Sequence, residues 1–93
     1  MSPPRPYRTT PLFDEANLPE ALRRDHATKA GTWGVIRVLG GEALLHFGAR
    51  QVLLTAERPG LIEPEERHRV EPLSGMRMQV EFYDVPPALP EPG

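Results

Sequence analysis

Three histidines carry most of the chemistry available to this chain: His26, His46 and His68. A neutral imidazole is the commonest metal ligand, and two of them with a carboxylate suit zinc, iron, manganese or nickel. His68 follows a turn, "PEERH", and opens an alternating run, so it stands either solvated at a strand start or in a pocket. His26 lies in "RRDHATKAGTWG", just ahead of another strand-like run. In a closed or sandwiched sheet these two segments can meet at a mouth, where small β-barrels take ligands. Glu81, an acid on the polar face of the last strand, is the best third ligand. Glu71 lies three residues beyond His68 and so faces the other way in a regular strand. His46 alternates with Leu44 near a strand end, which favours a rim position.

Around that candidate metal set, Lys29 and Arg37 offer charge to an anion, and Trp33 is either core or a pocket wall whose indole N–H needs a partner. Lys29 is the one lysine beside ten arginines. The bland alternatives are ordinary ones: a solvated His68, and a Glu81 that pairs with Arg77 or Arg37 across strands.

Other chemistries lack their residues. With no cysteine there is no thiolate ligand, thiol nucleophile or disulfide. Only Ser2 and Ser74 could be nucleophilic serines, and no phosphate loop, GxSxG elbow or HExxH pair occurs. A net charge of −2 without a basic block argues against a nucleic-acid surface. No apolar run is long enough for a signal peptide core or a membrane span, so no membrane partner and a cytoplasmic location are expected.

The elements that must position these side chains are strands. Six short runs, "TWGVIRVL", "EALLHF", "QVLLT", "LIE", "HRVEPL" and "MRMQVEFY", are separated by turn signals, and no long helix intervenes. The spacing predicts an all-β fold, a small sandwich or barrel of antiparallel strands. Gly40-Gly41 suits a two-residue hairpin loop, so the first three runs read as a meander. At most one helical turn fits, near Pro19 to Arg24. Alternation puts Met76, Met78, Val80 and Phe82 on one face of the last strand and Arg77, Gln79, Glu81 and Tyr83 on the other. In the first run Trp33, Val35, Arg37 and Leu39 share one face, Gly34, Ile36 and Val38 the other. Both faces are mostly apolar, so that strand is expected to be central.

Prolines crowd both ends, with Pro3, Pro4, Pro6 and Pro11 at one and Pro86, Pro87, Pro90 and Pro92 at the other. The reading is a proline-rich arm over 1–11, one domain over 12–84 and a tail over 85–93, both ends extended or frayed. A domain this small has a modest core, and oligomerisation is one way to support it.

The "TP.F" start, "H..KAG..G...V..G" around His26, "P...H.VE" around His68 and the closing "VEFY" carry a resemblance across about residues 7–84. The sequence resembles the TehB/YeaR-like family, a cupin-type domain found at the N-terminus of some tellurite-resistance B proteins and in small nitrate-response proteins. The resemblance implies a cupin-like β-barrel or jelly roll of six to eight strands, commonly a homodimer, with a pocket near His26 and His68. It implies a small-molecule or metal-binding domain linked to oxyanion stress, with a small-molecule or oxyanion ligand. A metal-dependent cupin enzyme, such as a dioxygenase, isomerase or reductase, and a non-catalytic dimerisation or regulatory module are the alternatives; whether the domain is an enzyme stays open. In larger relatives an S-adenosylmethionine-dependent methyltransferase follows this domain, and these 93 residues leave no room for it. The chain also departs from the cupin pattern: one histidine replaces H-x-H in the first motif, and "PEERH" is one residue shorter than P-x-G-x-x-H. One divalent transition metal on His26, His68 and Glu81 is therefore an expectation beside a metal-free pocket.

Overall fold

The last strand of the chain is paired along both of its edges, to the N-terminal segments on one side and to the first long strand on the other. A computed structural model describes residues 3–89, in the order β1 (Arg8–Thr9), β2 (Phe13–Asp14), α1 (Glu20–Arg23), β3 (Trp33–Gly40), β4 (Ala43–Phe47), β5 (Arg50–Leu54), β6 (Gly60–Ile62), β7 (Arg69–Pro72) and β8 (Arg77–Tyr83). All six runs read from the sequence form strands, and the single short helix falls where a turn was expected. Every named pairing is antiparallel.

One sheet has the order β1-β8-β3-β6, with β2 also on β8; the other has the order β5-β4-β7. The all-β expectation holds, and its barrel form resolves into two facing sheets with no ladder closing between them among the described residues. Inward residues of both sheets make one core: Ile36, Val38, Ile62, Met78 and Val80 from the first, Leu45, Leu54 and Val70 from the second. Removing each such side chain from water contributes about 1.5–3 kcal/mol. Gly60 lets the sheets approach, since a Cβ there would stand 2.8 Å from Leu45 Cδ2 and 2.9 Å from Leu54 Cδ1.

The expected meander over the first three runs is corrected in one respect: β3 and β4 lie in different sheets. Their connection is a corner. A bulge between Val38 and Gly40 strengthens the local twist, and Gly41 at φ 61° turns the chain into the second sheet. A Cβ on Gly41 would come within 2.4 Å of the Gly75 carbonyl. The true hairpin is β4–β5, where Phe47 pairs Arg50 around Gly48, also at φ 61°. A glycine with positive φ at the first loop position suits the twist of a two-residue hairpin.

The N-terminal arm is not frayed from residue 7 onward. Arg8 and Thr9 pair with Phe82 and Glu81, and Phe13 and Asp14 with Met78 and Arg77, so β1 and β2 form one edge strand interrupted at Pro11. Thr10 bridges the interruption: its N–H donates to the Val80 carbonyl and its Oγ1 accepts the Val80 N–H, both at 2.9 Å. A side-chain oxygen thus takes a main-chain donor that the proline-interrupted edge leaves over. Pro86 and Pro87 have no strand partner, while Pro90 and Pro92 lie outside the described residues. The strand β3 is central as expected; on its outer face Val35 is fully buried and Leu39, in the bulge, is exposed.

Candidate functional site

His26 and His68 meet. Their main chains form an isolated antiparallel bridge, each N–H donating to the other's carbonyl at 2.9 Å, and their ring centroids stand 4.0 Å apart at 55°. Each ring is locked in the same way: Nδ1 lies 2.8 Å from the carbonyl of the residue two earlier, Arg24 for His26 and Glu66 for His68. A carbonyl only accepts, so in the neutral ring the proton sits on Nδ1 and the Nε2 lone pair is left free. Neither Nε2 has a hydrogen-bond partner among the described residues. Burial is the main influence that pushes the His68 pKa below its ordinary value; the neighbouring His26 adds to it, and the bond to the Glu66 carbonyl opposes it.

The two rings help to line a cavity of about 370 Å³ between the sheets. Its floor is Gly34 and Ile36 of β3, Ile62 of β6, Val70 of β7, and Val80 and Phe82 of β8. Leu22 of α1 and Thr28, Lys29 and Thr32 of the loop before β3 make one side of the mouth, Tyr7 and Arg8 another. Thr28 ties the mouth loops together. Its hydroxyl donates to the Thr32 carbonyl at 2.8 Å and accepts the Glu65 N–H at 3.3 Å. Glu65 itself has a φ of 63°, an uncommon conformation for a side-chain-bearing residue, inside the turn that precedes His68.

Of the residues singled out from the sequence, His26, His68 and Lys29 line this cavity; Trp33, Arg37 and Glu81 do not. Strand alternation explains the division. Gly34, Ile36, Val80 and Phe82 face inward, so Trp33, Arg37 and Glu81 face outward, with Trp33 opposite Tyr83 in the ladder. On that outer face one Glu81 oxygen accepts from Arg37 Nε and from the Tyr83 hydroxyl, both at 2.9 Å. Burial is the largest single influence and works against the Arg37 charge, yet the Glu81 bond and charge together with Tyr83 outweigh it and the guanidinium pKa is raised. Burial, then the Glu81 bond, raises that of Tyr83.

A metal held by His26, His68 and Glu81 therefore does not fit. The locked imidazoles have the outer support that metal-binding histidines receive. The carboxylate, however, is on the far side of the sheet, and no cluster of three or more His, Cys, Asp or Glu side chains able to hold a metal occurs among the described residues. His46 is buried at the outer face of the second sheet, its Nε2 2.8 Å from a Glu71 oxygen; it joins neither group. The wall residues Ile36, Val80 and Phe82 were recoverable from alternation alone. Tyr7 and Arg8 were not, because only pairing with β8 brings the arm to the mouth.

The family model described as the TehB-like domain matches residues 8–80. The chain belongs to the TehB-like domain family. Two curated relatives, each described as a probable S-adenosyl-L-methionine-dependent methyltransferase TehB, come from two strains of Haemophilus influenzae. They are 35% and 31% identical to it, across 73% of this chain and 26% of theirs. The chain thus spans about a quarter of the length of the curated relatives it matches. The crystal structure of TehB from H. influenzae superposes with a TM-score of 0.81 at 30% identity, over 87% of this chain and 31% of that one. A protein of E. coli strain K12 shares the fold along nearly its whole length: TM-score 0.74, 19% identity, 92% of this chain and 91% of that one.

Proposed function

We propose that this TehB-like domain is a small-molecule-binding domain whose site is the inter-sheet cavity, and that it serves in oxyanion stress, the setting its resemblance to tellurite-resistance and nitrate-response proteins implies. His26 and His68 are the polar anchors, and Lys29 supplies positive charge at the mouth. Trp33 and Arg37, on the other face of the sheet, have no part in this site. The observation that supports this reading is the pair of imidazoles that share one cavity, each with Nδ1 committed to a carbonyl and Nε2 without a partner. A mainly apolar concavity with a few convergent polar atoms is the usual form of a small-ligand site.

Ligand binding stabilises the folded chain in proportion to the logarithm of ligand excess, about 2.7 kcal/mol at a hundredfold excess over Kd. A thermal-shift screen of oxyanions, small organic acids and phenols tests the reading, with His26→Ala and Lys29→Ala run beside the parent chain. A stabilising ligand whose effect is lost in His26→Ala supports it. No stabilisation by any member at millimolar concentration removes it.

A divalent metal held by the two imidazoles alone, with its other ligands taken from a bound molecule, is the form of the metal reading that the geometry leaves. Elemental analysis of the untagged chain separates the two. Near-stoichiometric metal that is lost in His68→Ala would replace the metal-free site by this one.

A further inference from the structure

We infer that the cavity takes a small, mainly apolar organic molecule with one protic oxygen, of the phenol or enol class, whose O–H donates to Nε2 of His26 or His68. This rests on the reading of the cavity as a ligand site and narrows what that ligand is; a bare inorganic oxyanion is the class it disfavours.

The first argument is the direction of the hydrogen bonds. With each Nδ1–H given to a main-chain carbonyl at 2.8 Å, the two neutral rings that help to line the cavity keep Nε2 as an acceptor. A fully ionised oxyanion also offers only acceptors, so it meets lone pair with lone pair unless a ring takes up a second proton. Burial resists that at His68, and a neighbouring ring at 4.0 Å adds to the resistance. The Thr28 hydroxyl at the mouth cannot make up the deficit, because its proton already goes to the Thr32 carbonyl at 2.8 Å. A protic head gives one of the rings a proton to accept without either imidazole being protonated.

The second argument is the walls. Ile36, Ile62, Val70, Val80 and Phe82 give an ion nothing to replace its hydration, whereas they solvate an apolar body well. Size agrees. An apolar cavity of about 150 Å³ holds benzene, so about 370 Å³ accommodates a single ring with substituents. Lys29 and Arg8 then lie at the rim. Positive charge there favours an acidic O–H over an aliphatic alcohol, since it stabilises the oxygen as its proton is shared with an imidazole.

The test uses the whole chain, labelled with 15N and with methyl 13C, and three probes at neutral pH: 4-ethylphenol, its methyl ether 4-ethylanisole, and sodium nitrate. We expect 4-ethylphenol to bind about tenfold more tightly than the ether, the worth of about one hydrogen bond. It should shift the Nε2 resonances of both His26 and His68 together with the Ile36 and Val80 methyls. Equal affinity for phenol and ether overturns the protic head while leaving an occupied cavity. Nitrate as the single probe to move the two Nε2 resonances overturns the ligand class, again with the site intact. If no probe moves any cavity resonance, the site reading falls and this inference with it. Because the comparison is between probes on the unaltered chain, no variant has to fold for it to decide.

Discussion

His26 and His68 exchange two main-chain hydrogen bonds of 2.9 Å, so the segment before β3 is fastened to the start of β7 by backbone, whatever the two side chains do. The pairing has a functional consequence. Two rings that belong to segments 42 positions apart are held at 4.0 Å without either ring's own atoms making the join. Their free nitrogens are consequently available for a ligand, and substitutions at either position should leave the local backbone in place.

The His68 environment predicts an acid-sensitive fold. Its pKa in the folded chain lies below the ordinary 6.5, chiefly through burial, so over the interval between the two values the unfolded chain binds more protons. The stability associated with a neutral His68 is therefore full above 6.5 and is lost as pH falls through the folded-state pKa. Urea denaturation from about pH 8 to about pH 5 should show a decline that is shallower in His68→Phe. An identical decline in the two proteins would remove His68 as its source.

Gly41 and Gly48 share a φ of 61° but differ in surroundings, which separates strain from collision. Nothing lies within 4 Å of a Cβ at Gly48, so Gly48→Ala should cost about 1–2 kcal/mol, the left-handed penalty alone. Gly41→Ala adds a clash with the Gly75 backbone at 2.4 Å and should be clearly worse. Denaturant midpoints of the two variants check the order, and the reverse order would mean that the corner is not packed as described.

Glu81 is predicted to matter for the outer face and not for the cavity. Glu81→Gln should lower stability by at most about 1 kcal/mol, as for a part-exposed ion pair. It should also bring Tyr83 back towards its ordinary 10.0, because a bond that favours the protonated phenol is weakened. Ultraviolet titration of the tyrosines reads the second effect. A Glu81→Gln variant that lost ligand affinity tenfold would place this carboxylate in the site after all.

Thr10 should behave as part of the fold although it sits among prolines. Thr10→Val removes the Oγ1 acceptor of the Val80 N–H and should cost about 1–3 kcal/mol, the penalty for stranding a buried donor. In a domain of this size each kcal/mol is worth about 4–8 °C in Tm. Faster hydrogen exchange at the Val80 amide in the variant would localise the loss to the β1–β8 edge, and unchanged exchange there would reject it.

Several of these relationships were legible in the sequence because they are local. Alternation along "MRMQVEFY" already separates Val80 and Phe82 from Glu81 and Tyr83. The same pattern marks Ile36 as a wall residue. What alternation leaves undefined is which face of one strand looks at which face of another, and so whether His68 and Glu81 share a side.

By itself the sequence determined the strand content, the absence of a long helix, the two faces of β3 and β8, and the pairing of His26 and His68 as candidates. Backbone pleat has a period of two residues, so the strands and their faces follow from neighbours in the chain, whereas the two histidines were joined by the expectation of a closed or sandwiched sheet and by the family resemblance. Only the tertiary structure decided that β3 and β4 part at Gly41 into different sheets, that the proline-rich arm docks on β8, and that both Nδ1 protons are held by carbonyls while Glu81 stays outside. Those outcomes depend on hydrogen bonds and core contacts between residues far apart in sequence. Such contacts are chosen by the joint packing of two sheets, which no single stretch of the chain encodes.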